Sequence, residues 1–167
     1  GRFVDPNHIE VRTADGLTRI EFENAIIACG STPVRIPGFP HDDPRLIDST
    51  GALELADIPP KMLIVGGGII GLEMASVYAA LGSEVDIVEL QPGLMPGCDR
   101  DLVKALQKRL EKQVGSILLK TKVRDIKAQK NGLKVSFDGD KSTDSKLYDR
   151  VLVAVGRTPN GKQINAE

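Results

Sequence analysis

The opening stretch of the chain alternates apolar with polar residues, the period of strands that cover one face. Ile9 and Val11 alternate with polar neighbours, Asp15-Gly16 supplies a turn, and Leu17 to Phe22 runs back, which predicts antiparallel strands. Asn24 to Ala28 reads as a further apolar strand, ending at Gly30-Ser31-Thr32-Pro33. Pro33, Pro37, Pro40 and Pro44 then suppress regular structure as far as Arg45, since each fixes its own φ and lacks a backbone donor. Asp48-Ser49-Thr50 can cap a short helix through Leu55, and Pro59-Pro60 closes that segment.

From Lys61 the pattern becomes that of strands buried on both faces. Met62 to Val65 and Val85 to Val88 are apolar runs, and between them Ile69 to Leu81, rich in Ala and Leu, is a helix stopped by Gly82. Asp99 can cap a helix whose Leu102, Val103, Leu106 and Leu110 form one apolar stripe, with Lys104, Lys108 and Arg109 facing water. Ile117 to Val123 reads as a third strand. Leu133, Val135 and Phe137 alternate, Asp138-Gly139 turns, and Val151 to Val155 is a last apolar strand. The order β-α-β-α-β followed by a meander predicts an α/β fold: a Rossmann-like domain with a parallel sheet, crossover helices and an antiparallel β-meander.

Two segments echo each other. Ala28-Cys29-Gly30-Ser31-Thr32-Pro33 and Ala154-Val155-Gly156-Arg157-Thr158-Pro159 share Ala-x-Gly-x-Thr-Pro, each directly after an apolar strand. They bracket the α/β unit, so they are read as the places where the chain leaves and re-enters a neighbouring domain. That gives a division into residues 1–47, 48–153 and 154–167.

Composition narrows the classes. The 167 residues suffice for one sizeable core, and 41% hydrophobic with 27% charged residues is the balance of an ordinary globular protein. A net charge of −1 offers no electrostatic footing for nucleic acid or an anionic membrane. No apolar run approaches a bilayer span and Gly1 to Asn7 does not resemble a signal peptide, so a cytoplasmic protein is expected. The chain starts without methionine and stops soon after an apolar strand, as a piece of a longer polypeptide would. Cys29 and Cys98 lack the spacing of a zinc site or redox pair, and read as ordinary reduced thiols. His8 and His41 read as surface loop residues. No metal site and no catalytic residue is expected.

Chemistry concentrates at Gly66-Gly67-Gly68-Ile69-Ile70-Gly71, a G-x-G-x-x-G turn. The pattern alone is weak; its specificity comes from the strand before it, the helix after it and an acid at the end of the next strand. Gly66 permits the tight turn, Gly68 lacks the Cβ that would hold a pyrophosphate away, and Gly71 lets helix and strand approach. Free N–H groups near Ile69 and Ile70 would face the phosphates. Glu89, eighteen residues past Gly71, can accept from the adenosine ribose hydroxyls. A 2′-phosphate would meet that carboxylate, and Leu90-Gln91-Pro92 offers no arginine against it, so NAD is favoured over NADP. Glu73 follows the turn and reads simply as a carboxylate near a helix start. Lys120, Lys122 and Arg124 read as a solvated strand edge.

Lys61 to Met74 closely resembles the NAD-domain fingerprint of the dihydrolipoamide dehydrogenases, a family of flavin disulfide reductases. Asp42-Asp43-Pro44-Arg45-Leu46-Ile47-Asp48-Ser49-Thr50, Leu81-Gly82-Ser83 and Val153 to Lys162 are similar too, so the resemblance spans essentially the whole chain. It implies a parent enzyme passing electrons from dihydrolipoamide through a cystine and FAD to NAD⁺. It further implies a homodimer and partnership with the lipoyl domains of 2-oxoacid dehydrogenase complexes. By position in the resemblance, Gly66, Gly67, Gly68, Ile69, Ile70 and Gly71 would line the NAD site with Glu89, Val123, Ala154, Val155, Gly156 and Arg157. Glu73 would lie near nicotinamide and flavin, and Gly1 and Gly30 would belong to FAD-side segments.

The departures are equally definite. The family's redox cystine, its amino-terminal FAD glycine motif and its carboxyl-terminal His-Glu pair have no counterpart here. The expectation is a central NAD(H)-binding domain flanked by partial FAD-domain segments and inactive alone. Another flavin disulfide reductase, mercuric or glutathione reductase-like, is the alternative within the class. A non-catalytic NAD sensor module is the alternative outside it, although no output element is visible.

Overall fold

A computed structural model describes residues 1–139 and 145–166. In chain order the strands are β1 (Arg2–Asp5), β2 (His8–Thr13), β3 (Gly16–Glu21), β4 (Ser31–Pro33) and β5 (Leu46–Ile47), followed by helix α1 (Ser49–Leu53). Next come β6 (Lys61–Val65), α2 (Ile69–Ala80), β7 (Glu84–Val88), α3 (Arg100–Leu110) and β8 (Ser116–Leu118). Then follow β9 (Thr121–Gln129), β10 (Gly132–Gly139), β11 (Ser145–Tyr148), β12 (Arg150–Val153) and β13 (Arg157–Pro159). The chain divides into two units, one of Gly1–Thr32 with Arg157–Glu167 and one of Pro33–Gly156.

The first unit holds the antiparallel sheet β1-β2-β3, with Thr13 paired to Gly16 across a two-residue turn. Gly16 takes φ +130°, a conformation that favours glycine. Asp5 gathers the sheet's charges: it accepts from the Asn7 N–H at 3.0 Å and Arg19 Nη2 at 2.7 Å, and lies 2.8 Å from His8 Nδ1. Those contacts, the Asn7 N–H first, hold its carboxyl below the usual range. His8 is therefore a half-buried strand residue rather than a loop residue.

Asn24 to Ala28 forms no strand. Ile26 is 95% exposed and Ile27 55%, and among the described residues no strand pairs with the segment. Apolar sequence becomes a strand only where a neighbour accepts its backbone hydrogen bonds, and this unit provides none. The two echo segments, by contrast, pair with each other as β4 and β13. Asn160 donates from its backbone to the Gly30 carbonyl and from Nδ2 to the Cys29 carbonyl, both at 3.0 Å, while Thr32 Oγ1 donates to Asn160 Oδ1 at 2.8 Å.

The second unit has three layers. Its parallel sheet runs β5-β12-β6-β7-β8. Alternation along the buried strands sends Met62 and Ile64 of β6 toward the helices, with Leu72, Ala75, Tyr78, Val103 and Leu110. Leu63 and Val65 point the other way, onto the β11-β10-β9 meander and its Val123, Ile126, Leu133, Val135 and Phe137. The expected α/β architecture thus stands, with β5 an added edge strand. α1 is capped as read, Asp48 accepting from the Thr50 and Gly51 N–H groups, but stops at Leu53. Arg45 forks onto Asp43, Nε at 2.9 Å and Nη2 at 2.7 Å, and pulls that carboxyl down to about 2.

Four readings need correction. Ile117 to Val123 is not one strand: the chain leaves the parallel sheet after Leu118, turns at Lys120 with φ +51°, and enters the meander at Thr121. An apolar run is blind to such a change of sheet. Asp138-Gly139 is not a turn but the end of β10, paired to Lys122 and Thr121. A Cβ at Gly139 would stand 2.8 Å from Thr121 Oγ1, so glycine there serves close strand approach. On α3 the inward stripe is the buried Val103 and Leu110 with the half-buried Leu106, spaced i, i+3, i+7, and Leu102 lies off it, 66% exposed. His41 is half-buried, its Nε2 2.8 Å from the Ile36 carbonyl.

Candidate functional site

The strand β6 ends where its successor must turn sharply into α2. Gly66 takes φ +112°, and a Cβ there would run into the Ala154 carbonyl. A Cβ on Gly71 would run into the Gly66 carbonyl and meet Ile64 Cγ2 at 3.2 Å. Both glycines are therefore demanded by the fold itself. Gly68 differs: its φ is −84° and a Cβ would find nothing within 4 Å. Neither backbone strain nor packing requires glycine at the helix N-cap, yet the position opens onto the cavity beside it. The first bond of α2 runs from the Leu72 N–H to the Gly68 carbonyl at 3.0 Å. The N–H groups of Ile69 and Ile70 precede it and have no acceptor inside the helix.

Glu89 follows β7 and is nearly buried, at 9% exposure. Its Oε2 accepts from the Gly67 N–H at 2.6 Å and its Oε1 from the Gln91 N–H at 2.7 Å. A carboxylate oxygen has two lone pairs, so each keeps acceptor capacity. Gly67 is wedged: a Cβ would stand 2.6 Å from Leu94 Cδ2 and 3.2 Å from the Glu89 carboxylate.

These elements wall a cavity of about 780 Å³, within the usual range for cofactor pockets. Of the residues expected at a dinucleotide, Gly66, Gly68, Ile69, Ile70 and Glu89 line it from the turn side. Val123 of β9 lines it from the opposite side, with Ala154, Val155 and Gly156 from the connection that follows β12. Gly67 and Gly71 are buried in the turn behind that wall, and Glu73 is exposed in the second turn of α2. Arg157 belongs to the first unit, where Nε donates to Ser31 Oγ at 2.7 Å, and Gly1 and Gly30 are exposed in that unit. The sequence reading missed Met95, Pro96 and Cys98, which reach the cavity from the loop between β7 and α3. It also took Lys122 as merely solvated, whereas Lys122 is exposed and lines the cavity as well. Nothing in a linear pattern marks a loop that folds back over a turn.

Three residues before Glu89, Asp86 is a charge inside β7, 2% exposed. It accepts from Ser116 Oγ at 2.5 Å, Tyr148 Oη at 2.8 Å and Lys146 Nζ at 3.2 Å. Burial pushes its carboxyl up, but the three donors together outweigh that and hold it below the ordinary range. Burial first, then the Asp86 charge, pushes the Tyr148 phenol up. Asp86 thereby ties β7 to β8 and β11. Among the described residues no cluster of His, Cys, Asp and Glu could hold a metal ion, and no helix is long and apolar enough to cross a membrane. Both cysteines are unpaired and exposed.

The profile of the pyridine nucleotide-disulphide oxidoreductase family matches residues 2–167. The chain belongs to that family. Among its members it is similar to dihydrolipoyl dehydrogenase of Vibrio cholerae serotype O1, at 49% identity over all of this chain and 35% of that protein. The same enzyme from Haemophilus influenzae is 50% identical over 98% of this chain and 34% of its own length. The chain thus spans about a third of the curated relatives it matches. An HOCl-induced flavoprotein disulfide reductase from Escherichia coli superposes with a TM-score of 0.84 at 30% identity, over 98% of this chain and 36% of that one.

Proposed function

We propose that the Pro33–Gly156 unit binds NAD(H), as the NAD(H)-binding domain of a dihydrolipoamide dehydrogenase. The observation that carries this reading is Gly68. Its neighbours in the motif are glycines for the protein's own sake, but Gly68, free of strain and of any packing contact, borders the open cavity. A pyrophosphate seated there would meet the first-turn N–H groups of α2 and the positive end of its dipole. The ribose hydroxyls would donate to the acceptor positions left on Glu89. Bound nicotinamide would supply hydride transfer; the cavity residues would bind and orient it. Glu73, on the exposed side of the same helix, would approach the nicotinamide end.

The first unit would be two pieces of a flavin domain, contributing Gly1 and Gly30 to the FAD side, and Arg157 would belong to the NAD-binding set. The bare apolar run at Asn24 to Ala28 supports this, since its exposure suits a strand completed by a larger sheet. In the whole enzyme this domain would serve electron flow from dihydrolipoamide through a cystine and FAD to NAD⁺. The enzyme would work as a cytoplasmic homodimer visited by lipoyl domains.

Lys122 at the cavity wall favours a second reading, in which NADPH binds as in glutathione reductase-like enzymes. Calorimetric titration of the chain with both cofactors decides between them. NADH should bind more tightly, because a 2′-phosphate would confront the Glu89 carboxylate at the strand end. Equal or tighter NADPH binding overturns the assignment, and its loss in Lys122→Ala would then identify the responsible cation.

A further inference from the structure

The loop between β7 and α3 has a brace of its own. Arg100, the first residue of α3, turns its guanidinium back over the loop and forks onto three carbonyls. Nη1 donates to Leu94 at 2.9 Å, Nη2 to Met95 at 2.5 Å, and both Nε and Nη2 to Cys98, at 3.0 and 2.9 Å. The loop held this way contacts the glycine turn twice. The Met95 N–H donates to the Gly67 carbonyl at 2.9 Å, and the buried Leu94 side chain fills the space that a Cβ on Gly67 would need. Met95 sits at φ +50°, a conformation that a side chain rarely adopts unaided. Gly93 makes room for the fork, since a Cβ there would stand 2.8 Å from Nη1.

We propose that Arg100 is a positioning residue of the cofactor site, fixing Leu94 and Met95 so that the glycine turn and Glu89 keep their binding geometry before any ligand arrives. This rests on the NAD(H) reading of the cavity. A loop pinned in advance loses no further freedom when the cofactor binds, whereas a loose one must be ordered at that moment. Met95 and Cys98 line the cavity, so slack in the loop moves the wall itself. A planar guanidinium can serve three carbonyls at fixed angles, which a lysine ammonium, with donors on one atom, cannot.

The test is titration of the 167-residue chain with NADH and with ADP-ribose, for wild type, Arg100→Ala, Arg100→Lys and Gly93→Ala. Amide exchange is followed in parallel at Met95 and across β6 and β7. Arg100→Ala should weaken both ligands about tenfold through lost preorganisation. Met95 protection should fall while the protection of β6 and β7 stays as in wild type. Arg100→Lys and Gly93→Ala should fall between, and millimolar guanidinium should restore affinity to Arg100→Ala alone. Unchanged affinity in Arg100→Ala overturns the proposal, and so does a loss that accompanies equal deprotection of β6 and β7. Should wild type fail to bind either ligand, the cofactor reading fails, and unchanged Met95 exchange in Arg100→Ala would then dismiss the brace independently.

Discussion

At Gly68 an added side chain would project into open space, whereas at Gly66 it would strike the Ala154 carbonyl. The same substitution should therefore separate binding from folding. Gly68→Val is expected to leave the circular dichroism spectrum and melting transition near wild type while NADH binding disappears in calorimetry. A folded variant with unchanged affinity would place the dinucleotide elsewhere. Glu89→Ala removes an acceptor for ribose and frees the Gly67 N–H together. A loss of about 1.5–3 kcal/mol in NADH binding is expected, the range for a hydrogen bond to a charged group. Affinity within error of wild type would show that Glu89 serves only the turn. Both residues were legible in the sequence, because glycines and an acid at fixed offsets around a strand and a helix leave few other arrangements. Leu94, Met95 and Arg100 were not, because their roles depend on a loop returning over a turn, and no local pattern records that.

Among the elements, β7 carries the clearest energetic test. Asp86 occupies a position whose parity points into the meander side of the sheet, where Val88 is buried. Removing it leaves the Ser116 hydroxyl and the buried Tyr148 phenol without their acceptor, whereas the Lys146 side chain, 42% exposed, stays solvated. Asp86→Ala should cost about 1–3 kcal/mol in urea unfolding for each buried donor left without an acceptor; Tyr148→Phe removes one donor and should cost about 1.5–3 kcal/mol. A cost for Asp86→Ala within that of an exposed control would mean that water replaces the partners. The carboxyls of Asp86 and Asp43 are both depressed in the folded chain, Asp43 to about 2. Their contribution is thus complete above the ordinary carboxyl range and is lost as pH falls through the depressed folded values. Unfolding free energy in wild type should decline steadily below about pH 4, and less steeply in Asp43→Asn. Elements were readable where burial is two-sided, as in Met62 to Val65, and where alternation is strict, as in Leu133, Val135 and Phe137. They were misread where apolar character has another cause. Ile117 to Val123 crosses between sheets, and Asn24 to Ala28 is apolar without a partner in its own unit.

For the molecule as a whole, binding should occur without turnover. Sulfur exchange needs a thiolate beside a second sulfur, and Cys29 and Cys98 belong to different units and are both unpaired. Neither His8, held by Asp5, nor His41, held by the Ile36 carbonyl, lines the cavity that would hold the nicotinamide. NADH absorbance should stay constant with lipoamide and excess FAD present. A protein-dependent rate within about 1–10³ s⁻¹, the usual enzyme range, would show that the chain holds a complete active centre. The pairing of the two echo segments carries a consequence of another kind. Val34 donates to the Gly156 carbonyl at 3.0 Å, so the two ends of the α/β unit are backbone neighbours. To a host chain the whole unit then has the entropic footprint of a short closed loop, since closure cost depends on the gap bridged and grows only slowly with contour length. The unit is thus suited to transplantation into an exposed hairpin of an unrelated protein, or to circular permutation by joining Val34 to Gly156 and opening the chain elsewhere.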